Sequence, residues 1–132
     1  MDQVLDILKK NNLPAKQVDD SLYSFDLTVD DQPFSFLYFK NENPDELTFI
    51  LPNVYTYDDE HFPAAMNAIN FVNDNMHSVK CVVHNEVDVC IYFDHTLFGA
   101  EVTLPMIQHI CAQMFKAGMV LLEKVDEFHK NS

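Results

Sequence analysis

Histidine and cysteine are the side chains in this sequence that are best suited to bind a metal ion or to act as nucleophiles. The 132-residue chain has six histidines and three cysteines, scattered from residue 61 onwards: His61, His77, His84, His95, His109 and His129, and Cys81, Cys90 and Cys111. No two histidines have the i, i+4 spacing of a zinc-binding helix, and the cysteines have no metal-ligand spacing. We therefore predict no metal site and no cofactor.

One polar cluster is expected near a hairpin formed by the segments Val79–Val83 and Val87–Phe93. His84, Asp88 and Cys90 lie in or beside this hairpin, where they could meet across the two strands. Such a cluster would suit a small-ligand-binding or enzymatic domain. However, the chain has only 2 glycines, which excludes a P-loop or a dinucleotide fingerprint, and no motif marks an oxyanion hole. We predict a noncatalytic protein and keep the cluster as the alternative.

The charge of the chain excludes several classes of partner. It has 21 acidic residues against 8 basic ones, all of them lysine, and a formal net charge of -13. Without guanidinium groups it cannot form bidentate contacts to phosphates or guanine edges, and its field repels polyanions and anionic lipid. We predict no nucleic acid and no membrane as partners, and we expect any polypeptide partner to be basic or amphipathic.

Length and composition indicate a single domain over residues 1–132. The sequence has no linker-like tract and no repeat, and its first ten residues mix charged side chains with an apolar stripe, unlike a targeting signal. An odd number of cysteines favours reduced thiols over a disulfide framework. We therefore expect a cytoplasmic protein.

The first half of the chain predicts one helix and three strands. A helix is expected over Asp2–Asn12, followed by strands over Leu22–Val29, Phe34–Phe39 and Leu47–Leu51. Short turns between these strands indicate an antiparallel meander. The second and third strands carry apolar residues on both faces, so both faces are expected to be covered.

The second half predicts two more helices around the hairpin. Asp58 or Asp59 is expected to cap a helix that ends near residues 73–75, and Thr103 is expected to cap a last helix that extends to Phe128. At ~1.5 Å per residue this helix is longer than a small sheet needs, so we expect part of it to overhang or to meet another subunit. Gly118 marks either close helix packing or a tolerated glycine.

The hairpin register decides which cysteine enters the core. A turn of odd length brings the apolar residues of the two strands onto one face: Val79, Cys81, Val83, Val89, Ile91 and Phe93. Cys90 then lies on the other face, which disfavours a disulfide between Cys81 and Cys90. Because Cys111 falls on the apolar stripe of the last helix, Cys90 is expected to be the more exposed thiol.

Aromatic side chains are abundant, with 11 Phe and 5 Tyr. Most of them are expected to fill the core, but some could form an apolar surface for a partner or a dimer. The candidate surface residues are Phe34, Phe36, Tyr38, Tyr55, Tyr57 and Tyr92.

The element order α-β-β-β-α-β-β-α and the segment Ile69–Phe128, INFVNDNMHSVKCVVHNEVDVCIYFDHTLFGAEVTLPMIQHICAQMFKAGMVLLEKVDEF, resemble the YbjN-like family of putative bacterial sensory transduction regulators. In that family a helix with an Asn-containing end, here Phe71–Asn75, leads into a strand pair and a long C-terminal helix. The resemblance implies an α+β, type III secretion chaperone-like fold: an antiparallel five-stranded sheet with flanking helices, commonly in a homodimer. It implies no enzyme activity. We accordingly expect a noncatalytic, chaperone-like or regulatory module that binds a polypeptide partner as a dimer.

Overall fold

The structure of the protein is a computed structural model that describes residues 2–131. This part of the chain forms three helices, α1 (Gln3–Lys10), α2 (Phe62–Asn75) and α3 (Leu104–Lys130). It also forms six strands: β1 (Lys16–Gln17), β2 (Leu22–Val29), β3 (Gln32–Phe39), β4 (Glu46–Thr56), β5 (Val79–His84) and β6 (Asp88–Thr96). The strands make one antiparallel sheet in the order β1-β2-β3-β4-β6-β5. The α+β class is confirmed.

The sheet has six strands instead of the five predicted from the sequence. The additional strand, β1, has only two residues, and it pairs with β2 through Lys16 opposite Ser24 and Gln17 opposite Tyr23. Both β1 side chains are exposed, so no apolar alternation could have revealed this strand. The meander of β2, β3 and β4 agrees with the prediction.

Two helices begin with a side-chain cap, and the cap at Thr103 is the predicted one. The Asp2 carboxylate accepts a hydrogen bond from the Leu5 N–H at 3.0 Å, and the Thr103 hydroxyl accepts one from the Met106 N–H at 3.2 Å. The predicted cap of α2 is wrong by a few residues: the Asp58 side chain accepts from the His61 N–H at 2.9 Å, but it stabilises the turn before the helix. His61 itself precedes the first helical residue.

Side chains of alternate residues form the core face of the sheet. Phe25 lies opposite Phe36 across β2 and β3, and Phe49 lies opposite Phe93 across β4 and β6. Phe25, Phe36 and Phe49 are all at most 1% exposed, and the Phe25 ring lies 5.9 Å from that of Phe36 and 6.0 Å from that of Phe49. This aromatic cluster is the centre of the core.

Helix α3 packs across the core face beside α2. Its buried residues extend from Ile107 to Val125, and α3 contacts β2, β4, β5 and β6. Helix α2 packs against α3, and the ring of His61, just before α2, stacks on that of His129 near the end of α3 with centroids 4.1 Å apart. The expectation that part of α3 overhangs the sheet or meets another subunit stays a prediction, and Met119 and Leu122 of this helix are exposed.

Gly118 is a close-packing position and not merely a tolerated glycine. A Cβ atom at Gly118 would lie 3.3 Å from Cγ1 of Val54 and 3.8 Å from Cδ2 of Leu51. Val54 belongs to the irregular stretch of β4 between Leu51 and Tyr55, where the register with β6 shifts. The glycine thus lets α3 approach the bulge of β4.

The opposite face of the sheet, called the open face here, carries no helix within residues 2–131. Leu37, Ile50 and Tyr92 lie side by side on it across β3, β4 and β6. Ile50 is only 6% exposed, whereas Leu37 and Tyr92 are half-buried. None of the three helices described is both long and apolar enough to cross a membrane.

Candidate functional site

The residues of the predicted polar cluster lie on one face of the sheet, but they do not form a single site. His84 and Asp88 are register partners on the open face, and Cys90 lies on the same face opposite Val82. The His84 Nε2 atom lies 2.7 Å from the Tyr92 hydroxyl, whereas the Asp88 carboxylate accepts a hydrogen bond from the Thr56 hydroxyl at 2.7 Å. The imidazole and the carboxylate therefore use different partners.

The register prediction for the hairpin is confirmed, but the exposure prediction for Cys90 is wrong. Val79, Cys81 and Val83 lie opposite Phe93, Ile91 and Val89, respectively, as expected for the three-residue turn. Cys90 is nevertheless only 5% exposed, like Cys81 at 6%. Burial raises the pKa of the thiols of Cys81 and Cys111 to about 12. These two thiols are poor nucleophiles at neutral pH, because the thiolate is the reactive form.

Three of the six aromatic residues predicted for a partner surface lie in the core: Phe36, Tyr38 and Tyr57. The prediction that these three residues lie on a partner surface is wrong, because they occupy the side of the sheet that the helices cover. Phe34 and Tyr55 are half-buried and pack against the same core. Tyr92 is the member of the set that lies on the open face.

A large concavity lies on the helix side of the sheet. It is a groove of about 660 Å³ between the C-terminal end of α2, the strands β5 and β6, and the first half of α3. Its base consists of Val79 and Phe93 from the strands and Ile110 from α3, and all three are largely buried. Ligand sites typically have volumes of about 300–1,000 Å³, so this groove is large enough for a small molecule.

One stripe of α3 forms a long wall of the groove. His109, Gln113, Lys116 and Val120 line it at helical steps of four, three and four residues. These spacings place their side chains on the same side of the helix. The wall therefore presents three polar side chains followed by an apolar one, while the buried stripe of α3 faces the sheet.

The opposite wall is fixed by amide hydrogen bonds at the end of α2. The Asn73 Oδ1 atom accepts from the Cys81 N–H at 2.7 Å, and its Nδ2 atom donates to the Cys81 carbonyl at 3.3 Å. The Asn75 side chain donates to the Phe71 carbonyl at 2.8 Å. Asn73 thus pairs with the outer edge of β5 as a neighbouring strand would, and it holds α2 at a fixed distance from the sheet.

The electrostatic character of the groove differs from that of the whole chain. Of the described residues that line it, none is acidic, although the chain has 21 acidic residues. Three of the six histidines, His77, His95 and His109, and the amine of Lys116 are on its rim. The groove thus offers N–H donors around an apolar base.

The nearest acidic residues of the hairpin point away from this groove. Asp88 and Asp94 both lie on the open face, where their carboxylates accept hydrogen bonds from the hydroxyls of Thr56 and Thr48, each at 2.7 Å. The acidic residues of α3 are confined to its C-terminal third. The absence of carboxylates in the groove therefore follows from strand alternation and from the distribution of charge along α3.

Metal-type ligands converge at another place, before α2. Asp58, Glu60 and His61 could each offer one ligand atom, and these atoms lie within 4.8 Å of one another. The Nδ1 atom of His61 lies 2.7 Å from Oδ1 of Asp58, and this hydrogen bond lowers the pKa of the Asp58 carboxyl below its ordinary value. Both carboxylates are mostly exposed, with the Asp58 side chain 67% and that of Glu60 75% exposed. The turn that Asp58 stabilises explains why these three side chains lie close together.

Sequence reasoning missed the groove because its polar residues are far apart in the chain. His77, His95 and His109 come from the α2–β5 link, the end of β6 and α3, respectively. No spacing rule connects three residues that only the packing of α3 on the sheet brings to one rim. A usable signal was the acid-free stretch of α3 from Leu104 to Val120.

Comparisons with known proteins give a likeness of fold. No family model and no curated protein matches the sequence. Among solved structures, the chain is similar to an uncharacterized protein from Methanothermobacter thermautotrophicus, with a TM-score of 0.61, 12% sequence identity and 96% of both chains covered. At this identity the similarity supports the architecture over nearly the whole chain, and it carries no information on activity.

Proposed function

We propose that the protein is a noncatalytic binding module and that the groove between α2, β5, β6 and α3 is its ligand site. The observation that carries this proposal is an apolar base within about 660 Å³ of concave space, surrounded by polar groups of which none is a carboxylate. Sites for small molecules commonly combine an apolar lining with a few polar groups that orient the ligand.

The thiols support a noncatalytic function. Of the three cysteines, none lines the groove, and each is buried elsewhere in the molecule. The histidines on the rim therefore have no thiol to activate as a nucleophile. We accordingly propose that the groove binds its ligand and does not transform it.

The test is to fill the groove and measure the binding of a neutral apolar fluorophore, N-phenyl-1-naphthylamine. Gln113 is half-buried on the wall, so Gln113→Trp places an indole inside the groove. The matched control is Gln108→Trp, the same change at an exposed position of α3 outside the groove. We expect the fluorophore to bind to the wild type and to Gln108→Trp, and binding to Gln113→Trp to be at least about tenfold weaker.

Equal binding by the two tryptophan variants would contradict the groove as the site, and so would a wild-type protein that binds no fluorophore. Circular dichroism and thermal unfolding of both variants show whether each is folded. A folded Gln113→Trp protein that keeps full affinity is the clearest refutation.

A second candidate function is a chaperone-like interaction module that forms a homodimer through the open face. The observation that favours it is the row of Leu37, Ile50 and Tyr92 on a face without a helix, beside Phe39, which is 37% exposed. Exposed apolar patches of this kind often mark protein interfaces. This second proposal includes membership of the YbjN-like family and a type III secretion chaperone-like fold. It also includes a cytoplasmic location and a polypeptide partner.

Light scattering after size-exclusion chromatography tests the dimer. We expect the mass of two chains for the wild type and of one chain for Leu37→Glu, because a carboxylate within the row opposes its burial. Val18→Glu is the matched control, since Val18 is an apolar residue outside the sheet face and is 58% exposed. A monomeric wild type would contradict this second candidate and leave the groove proposal intact.

A further inference from the structure

We infer that the ligand of the groove is a linear aliphatic monocarboxylate, whose chain lies on the apolar base and whose carboxylate binds the rim at Lys116 and the neighbouring imidazoles. This inference rests on the proposed function and specifies its ligand class. It is carried by the charge and the shape of the groove together.

Lys116 brings a positive charge to the groove. Its helical neighbours three and four positions away are Ala112, Gln113, Met119 and Val120, so no carboxylate lies beside it on the helix. Within the described part of the chain Lys116 forms no ion pair, whereas Lys124 and Lys130 pair with acidic residues of α3. Most other lysines of the described chain also form no ion pair, but Lys116 is the lysine that lines the groove.

The imidazoles reinforce the same preference. His109 lies seven residues before Lys116, on the same side of α3, and His77 and His95 face it from the strands and the α2–β5 link. Whether neutral or protonated, an imidazole offers an N–H donor to an anion, and an amine offers only donors. A carboxylate finds donors on this rim and no competing anion, whereas an ammonium group finds no anionic partner there.

The groove is also long. It follows α3 from Met106 to Val120, which are 14 residues apart and therefore separated by about 21 Å at ~1.5 Å per residue. The side chains along this path include Met106, Ile110, Phe71 and Val120, all apolar. Apolar side chains spread over this length can contact an extended alkyl chain.

A free amphiphile suits the groove better than an acidic peptide does. An acidic peptide brings several negative charges towards a chain of net charge -13, and long-range repulsion opposes its approach. A monocarboxylate brings only one charge, which the rim can bind locally. The edge of β5 is also occupied at Cys81 by the Asn73 amide, which hinders the addition of a peptide strand there.

The experiment is displacement of N-phenyl-1-naphthylamine by three twelve-carbon probes below their micellar concentrations: dodecanoate, 1-dodecanol and dodecylammonium. We expect dodecanoate to bind roughly three- to tenfold more tightly than dodecanol, the range of an ion-paired hydrogen bond at a partly exposed site. Dodecylammonium should bind most weakly. In the series from octanoate to dodecanoate, each added methylene should strengthen binding about fourfold, the factor that corresponds to about 0.8 kcal/mol.

Two charge variants locate the carboxylate. Gln113→Glu introduces an anion on the wall with almost no change of shape, and Lys116→Gln removes the amine. Both should weaken dodecanoate binding about threefold or more and should change dodecanol binding by a clearly smaller factor. The matched control is Lys16→Gln, which changes the net charge equally on β1, at the other edge of the sheet; dodecanoate should bind this variant like the wild type.

The outcomes separate the inference from the proposed function. If the fluorophore binds in the groove but dodecanoate shows no advantage over dodecanol, or if Lys16→Gln weakens dodecanoate as much as Lys116→Gln does, the inference is wrong and the groove remains a binding site. Tighter binding of dodecylammonium, or displacement only by acidic peptides, would also overturn it. If the fluorophore does not bind at all, the proposed function itself fails.

Discussion

Replacing Asn73 by alanine tests whether one side chain protects the edge of β5 and fixes the groove wall. In the structure the Asn73 amide forms two hydrogen bonds with the backbone of Cys81, at 2.7 Å to its N–H and at 3.3 Å to its carbonyl. Asn73→Ala removes both bonds and leaves a partly buried N–H without a protein partner. The variant keeps the helical backbone of α2.

The expected loss follows from these two bonds. An ordinary hydrogen bond contributes about 1 kcal/mol net, and a buried donor left without a partner adds to the loss, for a total of about 2–3 kcal/mol. Alanine is a better helix former than asparagine by about 0.6 kcal/mol, which offsets part of this loss. We therefore expect Asn73→Ala to lower the free energy of unfolding by about 1.5–2.5 kcal/mol.

Asn70→Ala is the matched control, because Asn70 is exposed on the same helix. Its change in helix propensity is the same, so the difference between the two variants isolates the bonds to Cys81. Urea denaturation followed by circular dichroism gives both free energies, and hydrogen exchange of the Cys81 amide should be faster only in Asn73→Ala. The reasoning is refuted if the two variants differ by less than about 0.5 kcal/mol, which is the usual range for surface substitutions.

Three further predictions concern the core and α3. Burial holds the thiol pKa values of Cys81 and Cys111 at about 12. As the pH rises above about 9, the thiols therefore lose their protons in the unfolded chain before they do so in the folded protein. Each thiol should then lower the free energy of unfolding by about 1.4 kcal/mol per pH unit, up to about pH 12. In Cys111→Ala, the free energy of unfolding should fall by about 1.4 kcal/mol less per pH unit than in the wild type. Gly118→Val should destabilise the protein by about 1–3 kcal/mol in urea denaturation, because the valine methyl groups would overlap Val54. Gly118→Ala should change the stability by less than about 1 kcal/mol. Equal stability of the two variants would contradict close packing at this position. Thr103→Ala should lower the free energy of unfolding by about 1 kcal/mol through loss of the cap, and an unchanged midpoint in urea would argue against it.

The parts of the fold that depend on local periodicity could be predicted from the sequence. The hairpin of β5 and β6 is the clearest case, because a shift of one residue would have turned Val79, Cys81 and Val83 out of the core. The cap at Thr103 was equally predictable, since a hydroxyl before an apolar helix has one good geometry. In both cases the relevant partners are close in the sequence.

The parts that depend on the placement of helices could not be predicted. Alternation groups Phe34, Phe36 and Tyr38 on one face of β3, but it does not tell whether helices or a partner cover that face. The helices α2 and α3 both pack on that side, which buries Phe36 and Tyr38 and leaves Leu37 on the open face. The expectation that both faces are covered remains a prediction for the open face.

The groove shows why net charge alone is a poor guide to the ligand of this protein. The total of -13 predicts a basic or amphipathic partner only if the acidic residues are evenly spread over the surface. Strand alternation instead sends Asp88 and Asp94 to the open face, and α3 carries its acidic residues only in its last third. Lys116 therefore lies in a local region without carboxylates, and over distances shorter than the Debye length of about 8 Å such local charges outweigh the distant total. The binding preference of the groove should accordingly be opposite to that of the molecule as a whole.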